Sequence, residues 1–202
     1  MLVTICIPSI IERIEKFSIL IKKIQKQLDE NKLNNKVQII SHVDNRSIPL
    51  TYKRNLMQKA VKGKYFIHLD DDDDIADDYC LTVCNTIEYL DKEVDVITYD
   101  QKALVGIDIF YVKCDLNQDM NLKYIGIHPG DCKRVYLRYP WQWCLWNSKK
   151  FKHIYRTDAD TNAREDQNWL KRIKLEYPKT QYNIPKVLHT YNFQDASMST
   201  CQ

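Results

Sequence analysis

The first hundred residues alternate between two kinds of apolar pattern, and this alternation restricts the fold more than any other feature of the chain. Residues 3–8 are β-branched and almost wholly apolar, which is typical of a strand buried on both faces. From Ile10 to Leu28, apolar side chains recur at spacings of three and four, which predicts a helix. The same patterns then predict strands over 37–43, 65–69 and 94–99, and helices over 51–61 and 79–90. This β-α-β-α-β-α-β order predicts an α/β fold with a mostly parallel sheet, right-handed crossovers and helices on both faces.

The second half of the chain carries weaker patterns. Residues 102–112 alternate weakly and predict one or two antiparallel strands, whereas residues 114–150 are irregular, aromatic and rich in turns. A helix is predicted over 164–176 and a last strand over 186–191. Thr51 is the predicted N-cap of the second helix and Gly63 its predicted end. With 202 residues, 44% of them hydrophobic, the chain is expected to form a single compact domain over 1–202.

The cysteines and the apolar segments suggest neither secretion nor a membrane span. The seven cysteines are odd in number and include no C-x-x-C pair, so reduced thiols are the simplest account. The apolar stretch 2–11 has no basic region before it and meets Glu12 and Arg13 at once, unlike a signal peptide. No run of eighteen apolar residues occurs, which predicts no transmembrane segment. We therefore expect a cytoplasmic protein.

Seven aspartates fall within residues 70–78, and five of them follow the third predicted strand without a break. Adjacent carboxylates repel one another, and a divalent cation removes that repulsion. Mg²⁺ and Mn²⁺ prefer hard oxygen ligands and bind through one or two carboxylates plus substrate phosphates. Parallel sheets bind ligands at the carboxyl ends of their strands, where both this run and Asp44 lie. The sequence thus favours a metal–diphosphate site, with a solvated acidic loop as the alternative.

Other phosphate and metal motifs do not fit this sequence. An EF-hand loop starting at any residue from 70 to 74 would lack the acid at its twelfth position, and no glycine lies between 70 and 85. A Walker A loop is absent. Sugar-nucleotidyltransferases have a glycine-rich loop after the first strand, where this chain has Pro8, Ser9 and Ile10. A nucleotidyl- or phosphoryl-transferring enzyme is therefore the weaker alternative.

Four segments in order resemble the family 2 glycosyltransferases, which have the GT-A fold. The first is VTICIPSI at 3–10, and the second is Asp44 at the end of the second strand. The third and most specific is KRNLMQKAVKGKYFIHLDDDD at 53–73. It is similar to the family's Ala-Arg-Asn, short helix, glycine, strand and Leu-Asp-x-Asp-Asp run. The fourth is Glu165–Asp166 at a helix start, followed by Trp169. The resemblance implies a GT-A-type sheet with its D-x-D motif in the aspartate run.

The resemblance also implies a role for each motif residue. Asp166 would be the catalytic base. The nucleotide-sugar site would lie in about residues 1–100 and contain Pro8, Asp44, Arg54, Asp70 and Asp71, with Asp44 at the nucleobase and Arg54 near the phosphates. Mn²⁺ or Mg²⁺ would be held by Asp72 and Asp70, with His189 as a further ligand. The metal register within 70–74 is open by one position. The acceptor side would lie in about residues 101–202 and contain Trp141, Trp143 and Glu165.

Several of these assignments have a structural alternative. Glu165 and Asp166 are also common residue types at a helix start. His189 is equally well explained as a hydrogen-bonded strand histidine, and tryptophans at this spacing are often buried.

The sequence predicts a metal-dependent, inverting glycosyltransferase that moves a sugar from a nucleotide diphosphate donor, with UDP-sugar favoured, to a hydroxyl of a glycan acceptor. A non-catalytic nucleotide-sugar-binding module is one alternative. A glycosyltransferase acting on modified DNA bases is another, because basic and aromatic residues interleave over 133–156. A net charge of only +3 argues against nucleic acid.

Overall fold

The computed structural model describes residues 1–157 and 164–193. The first half contains strands and helices in alternation, and its elements are β1 (Val3–Ile10), α1 (Ile14–Glu30), β2 (Val37–Asp44), α2 (Leu50–Lys59), β3 (Tyr65–His68), β4 (Asp74–Ile75), α3 (Tyr79–Tyr89) and β5 (Val96–Val105). The second half is richer in strands, and its elements are β6 (Asp108–Cys114), β7 (Lys123–Ile127), β8 (Arg134–Arg138), β9 (Leu145–Asn147), α4 (Ser148–Phe151), α5 (Glu165–Leu175) and β10 (Gln181–Phe193).

One mixed sheet runs through the domain in the order β2-β1-β3-β9-β5-β6-β8-β7, and β10 pairs with β5 and β4. β1 lies between β2 and β3 and is parallel to both. The short strand β9 is antiparallel to both β3 and β5, so β5 runs in the same direction as β1 and β3. The predicted α/β sheet flanked by helices is confirmed, with antiparallel pairs added mainly by the second half.

The path of the chain creates a switch point beside β1. After β1 the chain crosses to β2 on one side, and it then returns to β3 on the other side. Connections that leave a strand in opposite directions open a crevice at the carboxyl ends of the strands between them. The residues that follow β1 and β3 therefore meet at this edge of the sheet.

Several predicted boundaries shift in the structure. β1 extends to Ile10 and a 3-10 turn covers Ile11–Arg13, so α1 begins at Ile14 rather than at Ile10. Thr51 lies inside α2, whose N-cap is Pro49. Proline fixes its own φ and donates no hydrogen bond, and it begins this helix without a side-chain cap. The segment predicted as irregular contains three short strands. β7 and β8 form an antiparallel hairpin, and β8 also pairs with β6, whereas β9 pairs with the distant strands β3 and β5.

Gly63 permits a close approach rather than ending α2, whose C-cap is Ala60. A Cβ atom on Gly63 would lie 2.5 Å from the carbonyl carbon of Val3 and 2.6 Å from the backbone nitrogen of Thr4. The Gly63 N–H donates to Thr4 Oγ1 at 2.9 Å. The glycine thus allows the chain entering β3 to pass against the start of β1.

The core lies around the central strands, and its largest fully buried side chains are mostly aromatic: Trp146, Trp169, Tyr65, Tyr79, Tyr99, Tyr139, Phe66 and Phe151. None of the helices in the described residues is long and apolar enough to cross a bilayer. The six cysteines within the described ranges are free thiols, and five of them are buried.

Candidate active site

The aspartate run leaves the carboxyl end of β3, next to the end of β1. Ser9 of β1 donates its hydroxyl to Asp71 Oδ2 at 2.6 Å, which joins the two strand ends directly. Both residues are buried. A small pocket at this point is lined by Pro8, Ser9, Arg13, Leu50, Lys53, Asp70 and Asp71. The structure therefore brings three of the predicted nucleotide-sugar residues, Pro8, Asp70 and Asp71, to the switch point of the sheet.

Each aspartate of the run is paired with a group from another part of the chain. Arg13 pairs with Asp71 at 3.0 Å and also with Asp72. Asp73 accepts from His189 Nε2 at 2.9 Å and from the backbone N–H of Asn192 at 3.3 Å. Asp74 accepts from Lys23 Nζ at 2.9 Å, and Arg54 donates to Asp70 at 2.6 Å. These partners offset the repulsion that five adjacent carboxylates would otherwise produce.

Burial raises the pKa of four aspartates in the run. It raises the pKa of Asp71 to about 6, against the hydrogen bond from Ser9 and the charge of Arg13. It also raises the pKa values of Asp70, Asp72 and Asp73. The side chains of Asp70 and Asp72 remain 33% and 26% exposed, whereas those of Asp71 and Asp73 are almost covered. Asp70 and Asp72 are thus the two of these four carboxylates that remain partly accessible to solvent.

Beneath Asp70 lies a buried cluster of charged groups. Arg54 pairs with Asp70 and, through Nε, with Glu165 at 3.2 Å. The other Glu165 oxygen pairs with Arg156, and Gln142 accepts hydrogen bonds from both arginines. The side chains of Arg54, Glu165 and Arg156 are each exposed by 3% or less. The cluster joins α2, the strand end of Asp70 and the start of α5.

Asp166 is the next residue after this cluster and lies in the first turn of α5. Its Oδ2 accepts a hydrogen bond from the indole N–H of Trp141 at 2.9 Å. Burial, followed by the charge of Glu165, raises the pKa of Asp166. Asp166 is thus a helix-start residue, as the structural alternative from the sequence had it, and it is also partly buried and hydrogen-bonded to a side chain distant in sequence.

Asp44 lies at the end of β2 and is held by Lys53. Lys53 pairs with Asp44 and also donates to the backbone carbonyl of Ser9 at 3.2 Å. The Asp44 carboxylate also accepts from the backbone N–H of Ile48 at 2.8 Å. Burial opposes ionisation, but the Lys53 and Ile48 hydrogen bonds prevail and lower the pKa of Asp44. Asp44 does not line the pocket itself, but its partner Lys53 does, and Lys53 connects Asp44 to Ser9.

Three other predicted site residues lie deeper than a surface contact would require. Glu165 uses both carboxylate oxygens on arginines beneath the site. Trp143 is 4% exposed and stacks on His189, with ring centroids 5.4 Å apart. His189 is 1% exposed and has a partner on each ring nitrogen, Asp73 on one and Gln101 on the other. Its role as a metal ligand stays a prediction, and it would require His189 to release Asp73 or Gln101.

The basic and aromatic segment 133–156 does not form a continuous surface. Arg156 and Trp146 are buried, and Lys149 and Lys150 pair with acidic side chains. Arg156 and Trp146 are therefore unavailable for a surface contact, whereas Lys149 and Lys150 remain exposed.

Sequence reasoning missed Arg13, Lys53, Gln142, Arg156 and Tyr191. Lys53 was visible as the residue before Arg54 in the most specific motif. Tyr191 lies two residues after His189 on the strand that covers the run. Burial and then the negative charges of Asp73, Asp70, Asp72 and Asp166 raise the pKa of Tyr191. No local pattern marks the other three, since their partners lie far away in the sequence.

The fold is GT-A-like. Its central β2-β1-β3 unit is parallel, carries carboxylates at the switch point and is extended by antiparallel strands. Solved structures of S. aureus TarS residues 1–349 share it. The complex with UDP-GlcNAc matches with a TM-score of 0.63 and 14% identity over 100% of this chain and 62% of that chain. The complex with UDP matches with a TM-score of 0.60 and 14% identity over 94% of this chain and 60% of that chain.

A third structure of TarS 1–349 gives a TM-score of 0.61 at 14% identity over 95% of this chain and 60% of that chain. This chain thus spans about 60% of the length of those TarS chains. At this level of identity the likeness concerns the fold. No family model matches the sequence, and no match to a curated protein was found.

Proposed function

We propose that the chain is a glycosyltransferase that moves a sugar from a nucleotide diphosphate donor to an acceptor hydroxyl. The observation that carries the proposal is the bridge made by Arg54. This buried arginine pairs with Asp70 of the run and with Glu165, the neighbour of Asp166. One buried ion-pair cluster therefore connects the strand end at Asp70 with the start of α5, where Asp166 lies, and this supports a two-sided transfer reaction.

The nucleotide end of the donor would bind at the pocket between β1 and β3, which has room for about one water molecule and would have to widen. Pro8 and Leu50 supply apolar surface, and Arg13 and Lys53 supply positive charge beside the carboxylates. Its place at the switch point is where α/β sheets bind nucleotides. The GT-A-like fold is shared with TarS, which was solved with UDP and with UDP-GlcNAc, and this supports a UDP-sugar as the donor.

The exposed carboxylates fit a divalent cation that is shared with the donor. Among the described residues, no three His, Cys, Asp or Glu side chains are already grouped as metal ligands. Mg²⁺ and Mn²⁺ need only one or two carboxylates when phosphates supply the remaining oxygens. Asp72 and Asp70 would hold the ion, which would offset the charge that develops on the leaving diphosphate. Asp71 and Asp73 would support them through Ser9 and His189.

Asp166 would take the proton from the acceptor hydroxyl. Its raised pKa is appropriate for a base, because a carboxylate with a pKa closer to neutrality accepts a proton more readily. The Trp141 N–H restricts the position of this carboxylate. A base on one side of the sugar and a leaving group on the other give in-line displacement, and a single displacement inverts the anomeric centre. We propose a hydroxyl of a glycan as the acceptor.

Thermal unfolding with UDP, GDP, CDP or dTDP, each with and without Mn²⁺, tests the donor site. A ligand at about a hundred times its Kd stabilises the folded state by about 2.7 kcal/mol. For a chain of this size the Tm should rise by about 5–10 °C. We expect a rise with UDP that requires Mn²⁺ and is lost in Asp72→Ala.

Asp77→Ala is the matched control, because Asp77 belongs to the same acidic segment but its side chain is 97% exposed and contacts Lys23 instead. Turnover is then measured as UDP release from UDP-GlcNAc. A folded protein whose Tm responds to none of these nucleotides with Mn²⁺ present would overturn the proposal.

A further inference from the structure

The Arg138 guanidinium lies beside Asp166 and has no hydrogen-bonding partner among the residues that the structure describes. Its central carbon is 3.4 Å from the centre of the Trp141 ring, so the charge rests on the face of the indole. Its Nε atom is buried, and the guanidinium forms neither a hydrogen bond nor an ion pair within residues 1–157 and 164–193. Arg134, on the same strand β8, is exposed and pairs with Asp108 at 3.4 Å. Of these two arginines on β8, Arg134 is therefore paired with a carboxylate, whereas Arg138 has no such partner among the described residues.

An unpaired guanidinium in a partly buried position is costly. Burial lowers the pKa of Arg138, against the charge of Asp166. A cation–π contact with Trp141 offsets only part of the free energy that is lost when an ion leaves water. The planar fork of arginine matches a carboxylate or a phosphate with two parallel hydrogen bonds. An anionic ligand would satisfy the donors of Arg138 that have no partner within residues 1–157 and 164–193.

Trp141 places this cation next to the proposed base. One indole contacts Arg138 with its ring face and Asp166 with its N–H. We propose that Arg138 is an acceptor-binding residue that recognises an anionic group, a phosphate or a carboxylate, close to the hydroxyl that receives the sugar. The proposal rests on the proposed function, because it gives the acceptor of that reaction a chemical class.

The face of β8 that carries Arg138 extends the subsite away from Asp166. Residues two apart on a strand share a face, so Tyr136 lies on the same side as Arg138. The Tyr136 ring contacts Phe110 of β6 and Tyr124 of β7, with centroids 5.2 and 5.9 Å away. Tyr124 is 54% exposed. This row of rings offers apolar surface along which the sugar units of an anionic glycan would lie.

The indole N–H of Trp141 is a local reporter of this subsite. The chain has four tryptophans, so its ¹H–¹⁵N spectrum contains few indole signals, and a Trp141→Phe variant identifies the relevant one. We would titrate the full chain with glycerol 3-phosphate and with glucuronate. The neutral controls are glycerol and glucose. Comparing the affinities of glycerol 3-phosphate and glucuronate shows whether the site prefers a phosphate or a carboxylate.

We expect a saturable shift of the Trp141 signal with at least one anion and none with the neutral controls. Arg138→Gln should weaken that binding about tenfold or more, as expected for the loss of a hydrogen bond between charged groups. Arg134→Gln should change it by less than about twofold, because Arg134 is exposed and already paired. If Arg138→Gln does not fold, Arg138→Met carries the same expectation, since it keeps apolar contact with Trp141 without the charge.

Equal shifts with anions and neutral controls, unchanged binding in the Arg138 variants, or equal losses in Arg134→Gln would overturn the proposal. UDP binding is measured separately on the same sample. Binding of UDP without binding of either anion would contradict the acceptor subsite alone. Binding of an anion without binding of any nucleotide would leave an anion site and contradict the proposed transferase.

Discussion

The indole N–H of Trp141 donates a 2.9 Å hydrogen bond to Oδ2 of Asp166, across 25 residues of sequence. Trp141 lies before β9 and Asp166 lies at the start of α5. The bond connects a loop of the second half of the sheet to the carboxylate that we propose as the base. Removing this hydrogen bond therefore tests whether the orientation of Asp166 matters, because the carboxylate itself is still present.

Trp141→Phe should lower kcat while leaving the Kd for UDP unchanged. Loss of a hydrogen bond to a charged group costs about 1.5–3 kcal/mol, or about tenfold to a hundredfold in rate. The N–H favours the ionised carboxylate, so the pKa of Asp166 should rise and the acidic limb of the pH–rate profile should move to higher pH. Steady-state turnover of UDP-GlcNAc across pH checks both effects. An unchanged kcat with an unshifted profile would show that Trp141 does not orient the base.

Asp166→Asn should abolish most of the turnover without affecting donor binding. General base catalysis contributes about 10²–10⁴-fold, so we expect a loss of at least about a hundredfold in kcat. The base acts only when it is ionised. Since burial raises the pKa of Asp166, wild-type activity should fall with decreasing pH at a higher pH than an ordinary aspartate would give. UDP titration calorimetry on the same variant controls for folding, and retained turnover would contradict the assignment.

Glu165→Gln should destabilise the fold as well as the site. The substitution leaves Arg54 and Arg156 buried without their shared carboxylate. Breaking a buried ion pair typically costs about 3–5 kcal/mol. Urea unfolding at pH 7 measures the change in the free energy of unfolding.

Asp108→Asn is the control for Glu165→Gln, since it removes the partner of the exposed Arg134 and should cost less than about 1 kcal/mol. Similar small losses in both variants would show that the buried cluster is not a structural support.

Asp95→Asn should reveal a structural carboxylate whose contribution depends on pH. Burial opposes ionisation of Asp95, but Lys150 and the backbone N–H groups of Lys179 and Thr180 outweigh it and lower its pKa. A lowered folded-state pKa stabilises the protein above the unfolded value of about 3.9, and this contribution is lost as the pH falls through the folded value.

We expect Asp95→Asn to lose about 1–3 kcal/mol at pH 7. Its free energy of unfolding should also fall less than that of wild type between pH 5 and strongly acidic pH, as followed by urea unfolding at each pH. A parallel fall in both proteins would contradict this account.

The local part of the structure could be predicted from the sequence. Apolar runs and helical spacing located the first strands and helices, and the strands that end at Asp44 and just before Asp70 placed both carboxylates at one edge of a parallel sheet. These features depend on neighbours within a few residues. The GT-A-like fold was predicted because Lys53, Arg54 and Asn55, placed before such a strand, resemble the glycosyltransferase motif. This fold is confirmed. The roles assigned to individual site residues, and the metal, stay predictions.

The supporting contacts could not be predicted, because they join residues that are far apart in the sequence. Arg156 and Glu165 meet Arg54 only after α5 packs against the sheet, and Arg13 reaches Asp71 only because α1 starts beside the end of β3. The insertion of β9 between β3 and β5 was also invisible, since a three-residue strand carries no periodicity. The sequence by itself determined the elements and the edge of the sheet where the carboxylates gather. The tertiary structure decided which carboxylates are buried against arginines and which remain open to a ligand, because only long-range packing sets burial and the pairing of charges.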